Sequence, residues 1–286
     1  MADAATSAGT NLTGAPRRRM ATLPLLRRES IGEAYHVLTF DDPEGQAAEA
    51  GQFAMVRGAD WGQSPLLPRP MSYLSAGTTP SILIKVFGEG TLRMARAVPN
   101  EPFDFLGPLG NTWRTPRPER RQILVAGGVG VAPLLFLARE LTASDRRPMA
   151  LYGGRSARDL PLYDELGDIA ELSLTTEDGS RGARGRVTDL LEPLLAPDVE
   201  VYACGPDRML AKVAEICERR DVPCEVSVET PMACGYGVCL GCPVPLRGGG
   251  YVYACTQGPC IDARKIDFSR ADHAPPRAQA AAKYRT

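Results

Sequence analysis

The sequence predicts a β + α/β protein: an antiparallel β-barrel, then a parallel sheet flanked by helices, closed by a small cysteine-rich module. Three observations carry this. Between about residues 20 and 118, short apolar alternations are cut by glycine and proline, the pattern of brief strands closing into a barrel. From Gln122 the rhythm becomes strand, glycine turn, helix, which implies parallel strands covered on both faces. After the last of those strands, cysteines gather between residues 234 and 255.

The 286 residues suffice for two domains and an appendage. The expected division is a disordered tail over 1–19, the barrel over 20–118, the α/β domain over 119–228, the cysteine module over 229–268 and a second tail over 269–286. A hydrophobic content of 44% supplies packed cores, and a net charge of −1 gives no reason to expect nucleic acid or an anionic membrane as partner. No apolar run has the length of a membrane span. Eight cysteines in a long chain without a hydrophobic signal segment fit a reducing cytoplasm better than a disulfide framework. Residues 1–20, with Arg17, Arg18 and Arg19, loosely resemble a transit peptide, but a disordered tail fits better.

In chain order, the barrel strands are expected at Glu33–Phe40, Gln52–Val56, Met71–Ser75, Ser81–Val86 and Phe103–Leu106, with one short helix over Thr91–Val98. Pro116–Arg121 reads as a polar, proline-rich hinge. Parallel strands are expected at Ile123–Ala126, Met149–Tyr152, Glu171–Thr175, Val199–Ala203 and Cys224–Val228. Helices are expected over Pro133–Leu141, Leu162–Leu166, Val187–Leu195 and Arg208–Arg219, the first opening on a proline, where its missing N–H costs no hydrogen bond.

The most specific motif is Cys234-x4-Cys239-x2-Cys242-x12-Cys255, with Gly235, Gly237 and Gly241 between the ligands. This is the spacing of a plant-type 2Fe–2S site. Glycines let the backbone turn left-handed around a metal pair and bring N–H groups to the sulfurs. A structural zinc knuckle is the alternative, although zinc loops usually pair their cysteines in two separate knuckles. Cys260 competes with Cys255 for the fourth position, and Cys255 is preferred. Cys217 and Cys224 read as core thiols. His36 and His273 have no companions and are expected to do no chemistry.

Four further motifs have the chemistry of nucleotide binding. Arg69-Pro70-Met71-Ser72 pairs a forked, permanent cation with a strand hydroxyl, a combination able to hold a phosphate and a ring carbonyl. Gly88, Gly90 and Thr91 open a helix, whose N–H groups and dipole suit a pyrophosphate. Gly127, Gly128 and Gly130 end the first parallel strand with the spacing G-G-x-G-x-x-P rather than G-x-G-x-x-G. Cys204-Gly205-Pro206-Asp207 ends another, at the sheet's ligand-binding edge. Taken singly, each also describes an ordinary turn or strand edge.

In this order the motifs resemble the ferredoxin–NADP reductase superfamily, which joins a flavin-binding barrel to a nucleotide-binding α/β domain. The segment from Arg69 to Ser72 is similar to its flavin motif, with Met71 where many members carry an aromatic. Gly88 to Thr91 is similar to its flavin pyrophosphate loop, and Gly127–Pro133 with Cys204–Asp207 to its pyridine-nucleotide elements. Leu106–Asn111, Glu177–Gly179 through Asp189, and Glu229-x-x-Met-Ala-Cys-Gly-x-Gly-x-Cys resemble a narrower group, the electron-transfer subunits of class 1B dihydroorotate dehydrogenase.

That resemblance implies FAD, a 2Fe–2S cluster on Cys234, Cys239, Cys242 and Cys255, and NAD as cofactors. It implies an FMN-containing catalytic partner subunit in a heterotetramer of two of each, acting in pyrimidine biosynthesis. Cys204 is expected beside the nicotinamide–flavin stack, shaping it. Arg155 and Ser156, after the second parallel strand, leave NADP as the alternative nucleotide. The competing functions are the reductase of an oxygenase or other flavin system, and a zinc-stabilised nucleotide-binding regulator.

Overall fold

The computed structural model describes residues 18–32 and 34–270. The expected tails fall almost wholly outside the described residues, as does His273. The first part is a closed antiparallel barrel: β1 (Arg19–Ile31), β2 (Tyr35–Phe40), β3 (Phe53–Gly58), β4 (Arg69–Ser75), β5 (Ser81–Lys85), the helix α1 (Glu89–Arg96) and β6 (Pro102–Leu109). Around the barrel the strand order is β1-β2-β5-β4-β3-β6. Phe40 stacks edge-on against Phe103 and Phe105, and Tyr73, Ile82 and Ile84 fill the same interior.

β1 closes the barrel, pairing its first half with β6 and its second with β2, and the sequence reading did not anticipate it. Only Leu23 and Leu25 of its 13 residues are buried, while Arg27, Arg28, Glu29 and Ser30 face water. A strand whose second half is so polar lacks the alternation by which strands are read.

The second part begins with β7 (Arg121–Gly127), a 3₁₀ turn and α2 (Val131–Thr142), followed by β8 (Met149–Gly154), α3 (Tyr163–Ile169), β9 (Glu171–Thr176) and the short β10 (Ala183–Arg184). Then come α4 (Val187–Leu191), β11 (Val199–Cys204), α5 (Asp207–Arg219) and β12 (Cys224–Ser227). The helix expected over Val187–Leu195 stops early because Pro193 turns its end into a 3₁₀ turn. The expected hinge is pinned: buried Glu200 accepts from the Arg117 backbone N–H at 2.7 Å and from its guanidinium at 3.3 Å.

The cysteine module adds β13 (Pro243–Pro245), β14 (Tyr251–Tyr253), α6 (Ala254–Gln257) and β15 (Cys260–Asp262). Its last strand runs antiparallel to β12, giving a sheet of seven strands in the order β10-β9-β8-β7-β11-β12-β15. Cys242, Val244, Ala254, Cys255 and Ile261 share one core with β7, β11 and α5. The module is therefore built into the nucleotide domain's sheet and core. From β7 the chain goes outward to β8 and β9, then returns to β11 on the other side, so the switch point lies between the loops after β7 and β11. Open parallel sheets bind their ligands at such a point.

Candidate functional site

A cleft of 410 Å³ opens at that switch point, within the usual range for small-molecule sites. Three parts of the chain wall it. The barrel gives Pro70, Met71 and Ser72 from β4, Leu83, Ile84 and Lys85 from β5, and Phe87 and Thr91. The sheet gives Val129, Gly130, Ala132, Pro133, Cys204 and Asp207. The third wall is the strap from Ser227 to Met232, which leads from β12 into the cysteine loop.

The structure thus brings Pro70, Met71, Ser72, Thr91, Gly130, Cys204 and Asp207 to one cavity. Arg69 stands behind it. Its guanidinium bonds the Leu67 carbonyl and fills the space above Gly90, where a Cβ would sit 2.1 Å from Arg69 Nε. The two flavin-type motifs are therefore in direct contact. Thr91 Oγ1 accepts from the N–H groups of Phe87 (2.8 Å) and Gly88 (3.1 Å), so its hydroxyl orders the loop at the start of α1.

Gly127, Gly128, Gly205 and Pro206 shape the floor from beneath. A Cβ on Gly127 would meet Met209 Sδ at 2.7 Å and Pro206 Cδ at 2.9 Å, and one on Gly130 would meet the Cys204 carbonyl oxygen at 2.3 Å. The glycines let the loops after β7 and β11 touch. Gly128 is left-handed (φ +55°), and its carbonyl accepts from the Tyr152 hydroxyl at 2.9 Å. Cys204 is 3% exposed; burial, then the Glu229 charge, push its thiol far above the ordinary range. Its buried thiol shapes the cavity wall as a neutral group.

Sequence reasoning missed Lys85, and it did not place Thr230 and Pro231 of the strap on the cleft wall. Lys85 Nζ bonds Asp159 Oδ1 at 2.9 Å, and the buried Tyr35 hydroxyl donates to the same oxygen at 3.2 Å, tying barrel to sheet domain beside the cleft. Lys85 ends β5 and Tyr35 begins β2, on paired strands, a register no motif announces.

The strap delivers the cysteines as two pairs. The Cys239 N–H donates to Cys234 Sγ at 3.4 Å, and the Gly241 N–H to Cys239 Sγ at 3.4 Å. Burial pushes the Cys234 thiol up, but N–H groups of Cys239, Tyr236 and Val238 outweigh it and bring it down to about 6. Cys242 and Cys255 lie buried with sulfurs 3.2 Å apart, and burial with the Cys242 hydrogen bond pushes Cys255 up to about 12. Two thiols so close and dry ionise together only beside a metal cation. Cys234 with Cys239 on the loop, and Cys242 with Cys255 brought together from the loop and α6, give two thiol pairs, a donor set that fits a centre of two irons each taking two thiolates. Gly235 (φ +79°) lets this loop sit on the barrel: a Cβ there would meet Met55 Cγ at 2.4 Å.

Cys260 is elsewhere. It lies on β15, buried, with its sulfur facing the Gly51 carbonyl, and Asn111 clamps its backbone through bonds of 2.7 and 3.0 Å. Cys217 and Cys224 are buried core thiols.

Residues 229–267 match the iron–sulfur cluster binding domain of dihydroorotate dehydrogenase B, and residues 124–215 the oxidoreductase NAD-binding domain. The dihydroorotate dehydrogenase B (NAD(+)) electron transfer subunit of Caldanaerobacter subterraneus is 34% identical over 256 residues, 88% of this chain and 100% of the relative. The corresponding probable subunit of Methanopyrus kandleri is 38% identical over 224 residues, 77% and 81% of the two chains. The chain belongs to the family of dihydroorotate dehydrogenase B electron transfer subunits.

A solved NADH-dependent reduced ferredoxin–NADP oxidoreductase superposes with a TM-score of 0.77 at 25% identity, covering 96% of each chain. The ferredoxin reductase in carbazole 1,9a-dioxygenase shares the fold alone, with a TM-score of 0.62 at 20% identity over 72% of this chain and 66% of its own. As an electron transfer subunit of dihydroorotate dehydrogenase B, the chain is an oxidoreductase component working with a 2Fe–2S cluster, FAD and NAD, and it implies a catalytic partner subunit. No helix among the described residues is long and apolar enough to cross a membrane.

Proposed function

We propose that the partner is an FMN-containing dihydroorotate dehydrogenase, in a cytoplasmic heterotetramer of two of each subunit, and that this chain carries its electrons to NAD⁺. The observation that carries the reading is the shared cleft: barrel, nucleotide loops and cysteine strap all wall one cavity. FAD bound there would supply a carrier able both to accept single electrons and to give a hydride to a nicotinamide.

The chain's own residues bind and orient. Cys234, Cys239, Cys242 and Cys255 hold the cluster, and the loop N–H groups steady the sulfurs' negative charge. Arg69, Pro70, Met71 and Ser72, with Gly88, Gly90 and Thr91, hold FAD. Gly127, Gly128, Gly130, Gly205, Pro206 and Asp207 hold NAD, and Cys204 keeps the floor between them narrow and dry. We take NAD over NADP, with Arg155 and Ser156 as the residues to vary. Tyr236, Val238 and Leu240 are 46%, 71% and 54% exposed around the cysteine loop, an apolar surface suited to the catalytic subunit.

The purified protein should absorb as flavin plus iron–sulfur, contain iron and acid-labile sulfide in equal amounts, and give a 2Fe–2S resonance after dithionite. Mixed with FMN-loaded dihydroorotate dehydrogenase it should make NADH only when dihydroorotate is present. A colourless protein, or partner-driven current that survives serine at a cluster ligand, refutes the assignment.

A further inference from the structure

Thr230 stands in the middle of the strap that walls the cleft, four residues before Cys234. Its Oγ1 is buried and has no hydrogen-bond partner, a condition shared among the described residues only by Thr175. Thr175 lies within β9 and does not line the cleft, whereas Thr230 does. Leaving a hydroxyl dry and unpaired is a net cost to the fold. Buried polar atoms are paired almost without exception, so an orphan on a cavity wall marks where a ligand supplies the missing partner. The next residue is Pro231, which has no N–H to offer.

We propose that the Thr230 hydroxyl is a flavin-binding group, donating a hydrogen bond to a heteroatom of the FAD ring from the side of the cleft that continues into the cysteine loop. This rests on the reading of the cleft as the FAD site. Reduction adds electron density to the ring, so a fixed donor at its edge favours the reduced flavin. Thr230 is then a positioning and tuning residue at the point where the flavin wall becomes the cluster loop.

The test compares wild-type holoprotein with Thr230→Val, which keeps the shape and removes the hydroxyl, and Thr230→Ser, which keeps the hydroxyl. Thr230→Val should weaken FAD binding by about tenfold, the worth of one buried hydrogen bond. It should also make the flavin potential more negative and alter the bound flavin's absorbance, while the reduced cluster's resonance is unchanged. Thr230→Ser should stay near wild type in all three flavin readouts. Wild-type affinity, potential and spectrum in Thr230→Val would overturn the inference. So would equal losses in Val and Ser, which would assign the effect to methyl packing. If Thr230→Val does not fold, Thr230→Ser against Thr230→Ala decides by the same readouts. A wild-type chain that takes up no FAD refutes the reading of the cleft and this inference with it.

Discussion

Gly90 keeps open the space that the Arg69 guanidinium occupies: a Cβ at residue 90 would lie 2.1 Å from Arg69 Nε and 2.3 Å from its Cζ. The two residues are 21 positions apart in the chain (90 − 69), on α1 and β4. Their contact brings two weak motifs together, and on the proposed reading of the cleft as the FAD site they act as one anion-binding corner, where a guanidinium beside a helix N-terminus sums both positive fields.

Gly90→Ala should therefore weaken FAD binding by about tenfold or more, the cost of misplacing one charge-assisted contact. Alanine is the better helix former by about 1 kcal/mol, so the melting temperature of the FAD-free protein should hold or rise. A flavin fluorescence titration beside a thermal melt separates the two effects.

Asn111 links the end of β6 to the start of β15, donating to the carbonyls of Cys260 (2.7 Å) and Gln257 (3.2 Å) and accepting from the Cys260 N–H (3.0 Å). Asn111→Ala should cost about 2–3 kcal/mol, because three backbone partners lose their bonds together. The loss should show in the denaturant midpoint and as faster bleaching of the cluster, since the same segment carries Cys255.

Glu200 is fully buried with Arg117 and Gln122 as partners. Glu200→Ala should destabilise by roughly 1–3 kcal/mol, because the Arg117 N–H and the Gln122 amide lose their acceptor while the Arg117 guanidinium stays in water. Chemical denaturation measures it. Cluster and flavin spectra of the surviving folded fraction should match wild type, because Glu200 lies at the opposite end of β11 from Cys204.

Much of this was legible in the sequence, for reasons that can be named. Cys234, Cys239 and Cys242 sit on one tight loop, so their spacing fixes their proximity. Parallel strands buried on both faces, such as the Ile123–Ala126 stretch of β7, announce themselves by unbroken hydrophobicity. Arg69 and Gly90 were readable as separate motifs but not as partners, because their contact depends on barrel closure. β1 was silent because its outward residues are charged. Thr230 carries no motif at all: its distinction is an unpaired hydroxyl, and only coordinates show that. Cys260 read as a rival ligand because sequence distance from Cys242 cannot reveal that β15 turns it into the sheet beside Ser227.

The Lys85–Asp159 pair gives a pH signature with a definite sign. Burial pushes the Asp159 carboxyl up, but the Lys85 ammonium and the Tyr35 hydroxyl outweigh it, so it ends below the ordinary carboxylate value. A carboxyl whose folded pKa is depressed binds its proton more readily in the unfolded chain. Its stabilisation is therefore complete above the unfolded value, about 3.9, and disappears as pH falls through the lower folded value. Asp159→Asn should lower the melting temperature at pH 7, and the gap from wild type should shrink below about pH 4. Both partners are partly exposed, so the gap should be modest and should narrow with salt. A gap that stays constant from pH 7 to pH 3 would show that Asp159 acts through packing rather than charge.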